Sequence, residues 1–327
     1  MNPFRYLRTD EPAAAIRQVA GDPRAEFLAG GTSLLDLMKL GVETPATLVD
    51  INSLPMSRIE VKGRGVRIGA LVTNSDLAYH EVVRRRYPVL SQAILSGASP
   101  QLRNMATVAG NLMQRTRCTY FRDGMSPCNK RAPGTGCAAL DGFNRSHAVL
   151  GTSEHCIASN PSDLCVALAI LDAVVHVAGK NGDRTIPFND FHPLPGETPE
   201  RETVLEHGEL ITAVELPSAP HAARSHYLKV QDRASYDFAL ASAAVALDVK
   251  GGVIRTARIA LGGVATKPWR AFAAEQTLVG AKPGESAYTA AAREALKDAR
   301  GRPFNAFKIE LARRIIVRAL TTVGGLS

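Results

Sequence analysis

Four of the chain's five cysteines, Cys118, Cys128, Cys137 and Cys156, fall in one stretch, separated by nine, eight and eighteen residues. Four thiolates from one wrapping segment are the donor set of an iron–sulfur cluster, and the spacings of such ligands vary between families. Zinc is a second reading, with His147 or His155 as possible further donors, but structural zinc sites pair their cysteines as CxxC or close to it and no such pair occurs. Disulfides are a third, although a chain of 327 residues needs no staples and five cysteines leave one over. Uncoordinated thiols are the fourth. Spacing alone leaves all four open.

The residues between these cysteines, CTYFRDGMSPCNKRAPGTGC and then AALDGFNRSHAVLGTSEHC, are rich in Gly, Pro, Asn and Arg. Such a segment buries little apolar surface by itself, so something other than a core must order it. Arg115, Arg117, Arg122, Lys130, Arg131 and Arg145 lie in or beside it and could offset the negative charge of a tetrathiolate cluster. Cys165 stands apart among Leu164, Val166 and Leu168 and reads as a small buried hydrophobe.

A second chemistry-bearing segment lies near the N-terminus. Glu26 to Leu28 reads as a strand, Ala29-Gly30-Gly31-Thr32-Ser33 as a turn, and LLDLMKL as a helix that Thr32 or Ser33 could cap. A Gly-Gly turn leading into a helix presents backbone N–H groups to an anion, which is the recipe for a phosphate site. It is neither GxGxxG nor a Walker sequence, and a tight turn needing glycine for its own sake explains it equally well. A third segment, Gly97 to Arg117, carries small residues at Ala106, Thr107, Ala109 and Gly110 that would let a backbone approach a flat ligand; Thr107 and Asn111 add polar contacts. A packed turn between core elements is the alternative there.

The elements that must position these segments follow from periodicity. TLVDIN and GVRIGA read as strands, and helices are expected near Asp76 and from Val89 to Leu95. A strand is expected at Ala148 to Leu150, a helix after Ser162-Asp163, a hairpin from Ala173–Ala178 to Arg184–Pro187, and a strand over Glu209–Pro217. Between the last two, FHPLPGETPE reads as a loop. Ser162 and Asp163 are explained as helix caps without any ligand. PSAPHAA, Pro217 to Ala223, marks a boundary, and His221 and His226 beside it read as surface residues. Beyond it come three strands, SHYLKVQ, ALASAAVALDV and VIRTARIALGG, and three helical stretches beginning with WRAFAAEQTLVG, a compact α+β unit.

Composition narrows the class. The chain is 45% hydrophobic and 21% charged, with no low-complexity tract. Its longest apolar run, Leu164 to Ala178, is too short for a bilayer and carries Asp172 and His176, and no basic segment followed by an apolar one opens the chain. The net charge of +8 comes from dispersed Lys and Arg without a nucleic-acid motif, so nucleic acid is disfavoured, and a docking face for a more acidic partner protein explains the charge as well. No Ser–His–Asp, HExxH or paired-carboxylate arrangement stands out, so no catalytic residue is assigned.

In order along the chain, AGGTSLLDLMK (Ala29 to Lys39), TVAGNL (Thr107 to Leu112), PSDL (Pro161 to Leu164) and YLKVQDRASYDFAL (Tyr227 to Leu240) resemble the FAD-binding subunits of the xanthine dehydrogenase family of molybdenum hydroxylases. The likeness covers essentially the whole chain and includes a C-terminal domain of the carbon monoxide dehydrogenase medium-subunit type. Most members lack cysteines between the second motif and PSDL. The stretch here is similar to the subgroup with an additional 4Fe–4S cluster, and through QRTRCTYFRD, CNKRAPGTGC and ALDGFNR to flavin subunits of periplasmic aldehyde oxidoreductases; the 4-hydroxybenzoyl-CoA reductase flavin subunits are spaced differently.

The resemblance implies an α+β fold. A two-part FAD-binding domain of the vanillyl-alcohol-oxidase/molybdopterin-dehydrogenase type would span 1–218, with subdomains at about 1–55 and 56–218 and the cysteine loop 115–157 inserted. A C-terminal α+β domain with a three-stranded sheet would span 223–327. It also implies that Glu26, Phe27, Leu28, Ala29, Gly30, Gly31, Thr32, Ser33 and Leu34 hold the FAD pyrophosphate, and that Thr107, Gly110 and Asn111 contact the flavin end. Asp163 would bind ribityl or ribose hydroxyls, Ile211 would pack on the cofactor, and Lys229 would lie near the isoalloxazine. Cys118, Cys128, Cys137 and Cys156 would ligate the cluster. The implied role is electron transfer within a heterotrimer, between a 2Fe–2S subunit and an external acceptor, with an aldehyde oxidised on a molybdenum-cofactor subunit. Location would be periplasmic as cargo of a signal-bearing partner, or else cytoplasmic. A zinc-stabilised assembly module and an independent flavin oxidoreductase are the competing functions.

Overall fold

In the computed structural model, which describes residues 1–325, three sheets follow one another along the chain. Leu326 and Ser327, the end of the expected C-terminal domain, lie outside the described residues. The first sheet is parallel, with Thr47–Asp50 between Arg5–Arg8 and Ala25–Leu28. All four residues of the central strand are buried, as expected for a parallel strand covered on both faces. The second sheet has five antiparallel strands in the order Ile59–Lys62, Gly65–Gly69, Leu210–Leu216, Val174–Gly179, Gly182–Pro187. The expected hairpin is its edge pair. Among the described residues no helix is long and apolar enough to cross a membrane.

The third sheet corrects the expectation of three strands. Ser225–Val230, Ala241–Lys250 and Val253–Gly262 are joined by Trp269–Arg270, which pairs with Leu261 and Ala260. A two-residue strand has no alternation to read, and the helix expected from Trp269 starts at Phe272 instead. The expected strand at Ala148–Leu150 is a single bridge from Leu150 to Ala265. His221 and His226 are half-buried and not surface residues, because the 3₁₀ turn Pro220–Ala223 packs against the strand Ala241–Lys250.

The strand Ala241–Lys250 joins the two halves of the molecule. Ala243, Val245 and Leu247 point into the C-terminal core with the helices Glu285–Ala295 and Phe307–Gly324, while Ala244 and Ala246 point into the N-terminal core. Small residues on both faces allow that close double packing. On the N-terminal side lies the helix Asp163–Ile170, apolar all round and buried throughout except at Asp163, with Ser162 capping it by accepting from the Cys165 N–H at 3.0 Å. A third, small core gathers Leu37, Phe121, Ala139, Ile157 and Ala158 with the thiols of Cys118, Cys128 and Cys156.

Candidate functional site

The strand Ala25–Leu28 ends in a turn that reverses at Gly31, whose φ of 70° lies in the left-handed region. Gly30 has a separate reason to be glycine. A Cβ there would sit 1.8 Å from the Met105 carbonyl oxygen, so the turn abuts the segment that leads into Thr107. Thr107 accepts from the Gly110 N–H at 3.2 Å and caps the short helix Val108–Leu112. The two glycine segments thereby face each other across a cleft of about 500 Å³, whose walls include residues 26–34, Ile51, Thr107, Gly110 and Ile211.

The backbone N–H groups of Gly31, Thr32 and Ser33 donate to no acceptor among the described residues. Ser33 is the N-cap of Leu34–Lys39 but makes no side-chain cap bond, contrary to the expectation of a capped helix. That helix is only six residues long, so the turn's own N–H groups, more than a long helix dipole, make the site suited to an anion. Burial, followed by the neighbouring Glu43 carboxylate, raises the pKa of Glu26 in the cleft wall.

The loop from Phe191 to Glu202 closes one side of the cleft. Glu202 pairs with Arg115 at 3.5 Å and with Lys130 at 2.9 Å, and Lys130 also donates to the Pro199 carbonyl at 2.7 Å. Arg115 is bonded to Glu43 as well. Burial works against the Arg115 charge, but Glu202 and Glu43 outweigh it and raise its pKa. His192, in the same wall, is buried and pushed down to about 4 by that burial, with its Nε2 3.2 Å from the Leu112 carbonyl. The roles of Glu202 and His192 here escaped sequence reasoning. The one signal was charge, Arg201-Glu202, at the end of a proline-rich loop.

The four cysteines of the inserted stretch line one nook beside the cleft. Cys128 and Cys137 face each other in a two-stranded bridge, locked by Asn129, which exchanges bonds with Gly136 and donates to the His155 carbonyl. As free thiols, Cys118 is pushed up to about 12 and Cys156 to about 11, in both cases chiefly by burial. Backbone N–H groups of Tyr120 and Phe121 work in the opposite sense at Cys118, and that of Ala158 does so at Cys156. Among the described residues no three His, Cys, Asp or Glu side chains converge closely enough to hold a single metal ion. Cys156 lines both the nook and the large cleft. Cys165 is fully buried in its helix, away from the nook.

Not every expected residue reaches the cleft. Asn111 uses its side-chain oxygen to accept from Ser162 at 2.6 Å and from Gln114 at 2.7 Å. Asp163 accepts from the Tyr227 hydroxyl at 2.5 Å and from Lys229 at 2.9 Å, a pair nearly closed to solvent. Lys229 also donates to the carbonyls of Ser96 and Asp237. Asp163 lines a smaller cavity of about 150 Å³ that shares Ser159, Asn160 and Pro161 with the cleft. The cations expected to offset a cluster all have oxygen partners, and Lys130 also lines the cysteine nook, where its charge works against the burial that raises the Cys156 pKa. Arg117 and Arg122 pair with Asp36, Arg145 with Asp232, and Arg131 donates to the carbonyls of Tyr120, Phe121 and Ser126.

Residues 2–219 match the family described as the FAD binding domain in molybdopterin dehydrogenase, and residues 226–323 match the CO dehydrogenase flavoprotein C-terminal domain. The chain belongs to the FAD-binding subunits of the molybdenum hydroxylase family. The chain is 52% identical to the aldehyde oxidoreductase FAD-binding subunit PaoB of Escherichia coli K12, over 98% of each chain. It is 29% identical to the glyceraldehyde dehydrogenase medium chain of Sulfolobus acidocaldarius, over 85% of this chain and 82% of that one. Among solved structures it is similar to carbon monoxide dehydrogenase from Hydrogenophaga pseudoflava, with a TM-score of 0.77, 28% identity, and coverage of 98% and 97% of the two chains. The residues present fit the family's cofactor. The cleft offers an apolar wall at Ile51 and Ile211, and the unpartnered N–H groups of the Gly30–Gly31 turn suit a pyrophosphate.

Proposed function

We propose that this chain is the FAD- and 4Fe–4S-containing electron-transfer subunit of a molybdenum-dependent aldehyde oxidoreductase. It would assemble with a molybdenum-cofactor large subunit and a 2Fe–2S small subunit, and discharge electrons to an external acceptor such as oxygen or a quinone-like molecule. Support for the aldehyde class comes from the similarity to PaoB. The observation that carries the two-cofactor reading is that Cys156, with Lys130 and Ala158, belongs to both walls, so the four-cysteine nook and the cofactor cleft adjoin. Periplasmic location as cargo of a signal-bearing partner is part of the same proposal.

When bound, the cluster exchanges single electrons and FAD joins one-electron to two-electron chemistry. The chain's own residues do the rest. The N–H groups of Gly31, Thr32 and Ser33 hold the pyrophosphate, and Ile51 and Ile211 exclude water from the apolar wall. Glu202 ties the loop over the cleft to Arg115 and Lys130, both members of the cysteine segment. Asp163 and Lys229, held behind Ser159–Pro161, place a fixed ion pair beside the cleft. Cys118, Cys128, Cys137 and Cys156 supply four sulfurs, and the backbone N–H groups beside Cys118, Cys137 and Cys156 favour the deprotonated form of those three.

Anaerobic reduction by an aldehyde tests the role. The assembled complex should bleach its flavin absorbance, and this chain alone should not. Bleaching by the aldehyde without partner subunits would make it an independent flavin oxidoreductase.

A further inference from the structure

We propose that His147 is a positioning residue of the cluster site, donating its Nε2–H to the Cys118 sulfur and thereby raising the reduction potential of the cluster. The inference rests on the cluster reading above and adds a named determinant of its potential. The Nε2 atom lies 3.1 Å from Cys118 Sγ, and both residues are buried. His147 is not placed as a ligand. The nook is lined by all four cysteines and by His155, whereas His147 lines the 150 Å³ cavity on the other side of Cys118. The imidazole therefore meets the sulfur from behind.

The tautomer follows from the chemistry of the sulfur. A free Cys118 thiol carries a proton and can donate to the ring. A metal-bound thiolate has none, so the ring nitrogen facing it must be the donor. The ring's other nitrogen, Nδ1, has no partner among the described residues.

The backbone that carries the ring is held from the C-terminal domain. Lys308, fully buried at 0% exposure, donates to the carbonyls of Ser146, His147 and Gly263 at 3.1, 2.9 and 2.6 Å. Asn305 donates to the carbonyls of His147 and Ala148 at 3.4 and 3.2 Å. No carboxylate pairs with Lys308 among the described residues. A buried lysine spent on backbone oxygens fixes the ring's height over Cys118 and links the helix Phe307–Gly324 to the cysteine loop. Reduction adds negative charge to the cluster, and a donor aimed at a ligand sulfur stabilises that charge. Loss of the donor lowers the potential.

The test is an EPR-monitored redox titration of the assembled complex carrying H147L or H147Q. H147L should keep its iron and shift the cluster midpoint to lower potential; H147Q, whose amide N–H replaces the donor, should stay near wild type. An H147L cluster with full iron and an unshifted midpoint overturns the proposal. Should H147L lose its iron, hyperfine coupling to ¹⁵N-labelled histidine in the reduced wild-type complex decides: coupling supports the hydrogen bond and its absence overturns it. A wild-type complex without iron and sulfide overturns the cluster reading, and this inference with it.

Discussion

The cofactor cleft and the cysteine loop share a wall, yet different forces hold them. The cleft is built from periodic elements with cores behind them: a buried parallel strand at Thr47–Asp50, the sheet strand that carries Ile211, and a glycine turn seated on the Met105 backbone. Among the described residues, the loop between Arg115 and Cys156 has one four-residue helix, two isolated bridges (Cys128 to Cys137 within it and Leu150 to Ala265 outside it) and a small core to which its own thiols contribute. Side chains bonded to backbone do the rest, as with Asn129 and Arg131. A region of the first kind is shaped before its ligand arrives. One of the second kind depends on its ligand for order, because its apolar burial is too small to offset the entropy of fixing that many residues.

That contrast sets the expected effects of substitution. The largest is at the loop: C137S should abolish cluster iron and open residues 115–157 to protease, while C165S, deep in an apolar helix, should leave the iron content unchanged. Equal iron loss in both would mean the ligand set is wrong. At the cleft, G30A drives a Cβ into the Met105 carbonyl and should cost ~3 kcal/mol with loss of FAD but not of iron, measured by thermal unfolding and cofactor release.

Part of the acid-side pH response should come from His192. Its folded pKa of about 4 lies below the ordinary value of 6.5, so the folded state binds fewer protons than the unfolded chain between those limits. Stability should fall as pH drops from 6.5 towards 4, by as much as about 3 kcal/mol from this group, and H192Q should flatten that limb of the Tm–pH curve. The smallest effect is E202Q, which frees Arg115 and Lys130 from the covering loop; FAD should dissociate about threefold to tenfold faster, with a weaker salt dependence than wild type.

Much of the cleft was legible in the sequence because it rests on local signals. Gly-Gly before a helix, Thr107 three residues ahead of Gly110, and the alternation of ELITAVELP each report a backbone geometry directly. What escaped reading depends on partners distant in sequence. In the sequence Arg115 and Lys130 read as counter-charges for a cluster, and the fold also pairs both with Glu202, 87 and 72 residues on. Asp163 and Lys229 each carried a cofactor role in the sequence, and the fold pairs them with one another. The two-residue strand at Trp269 is too short for any period, and the sequence offers His147 only as a possible zinc donor, without marking it as the neighbour of Cys118.

The proposed function puts a cluster and a flavin in adjoining sites of this one chain. Quantifying FAD, iron, acid-labile sulfide and zinc in the purified wild-type complex tests it most directly, after subtraction of the partner subunits' 2Fe–2S content. About one FAD with about four irons and about four sulfides per chain is the predicted result. Zinc in place of iron, or FAD with no iron beyond that of the partners, would contradict it.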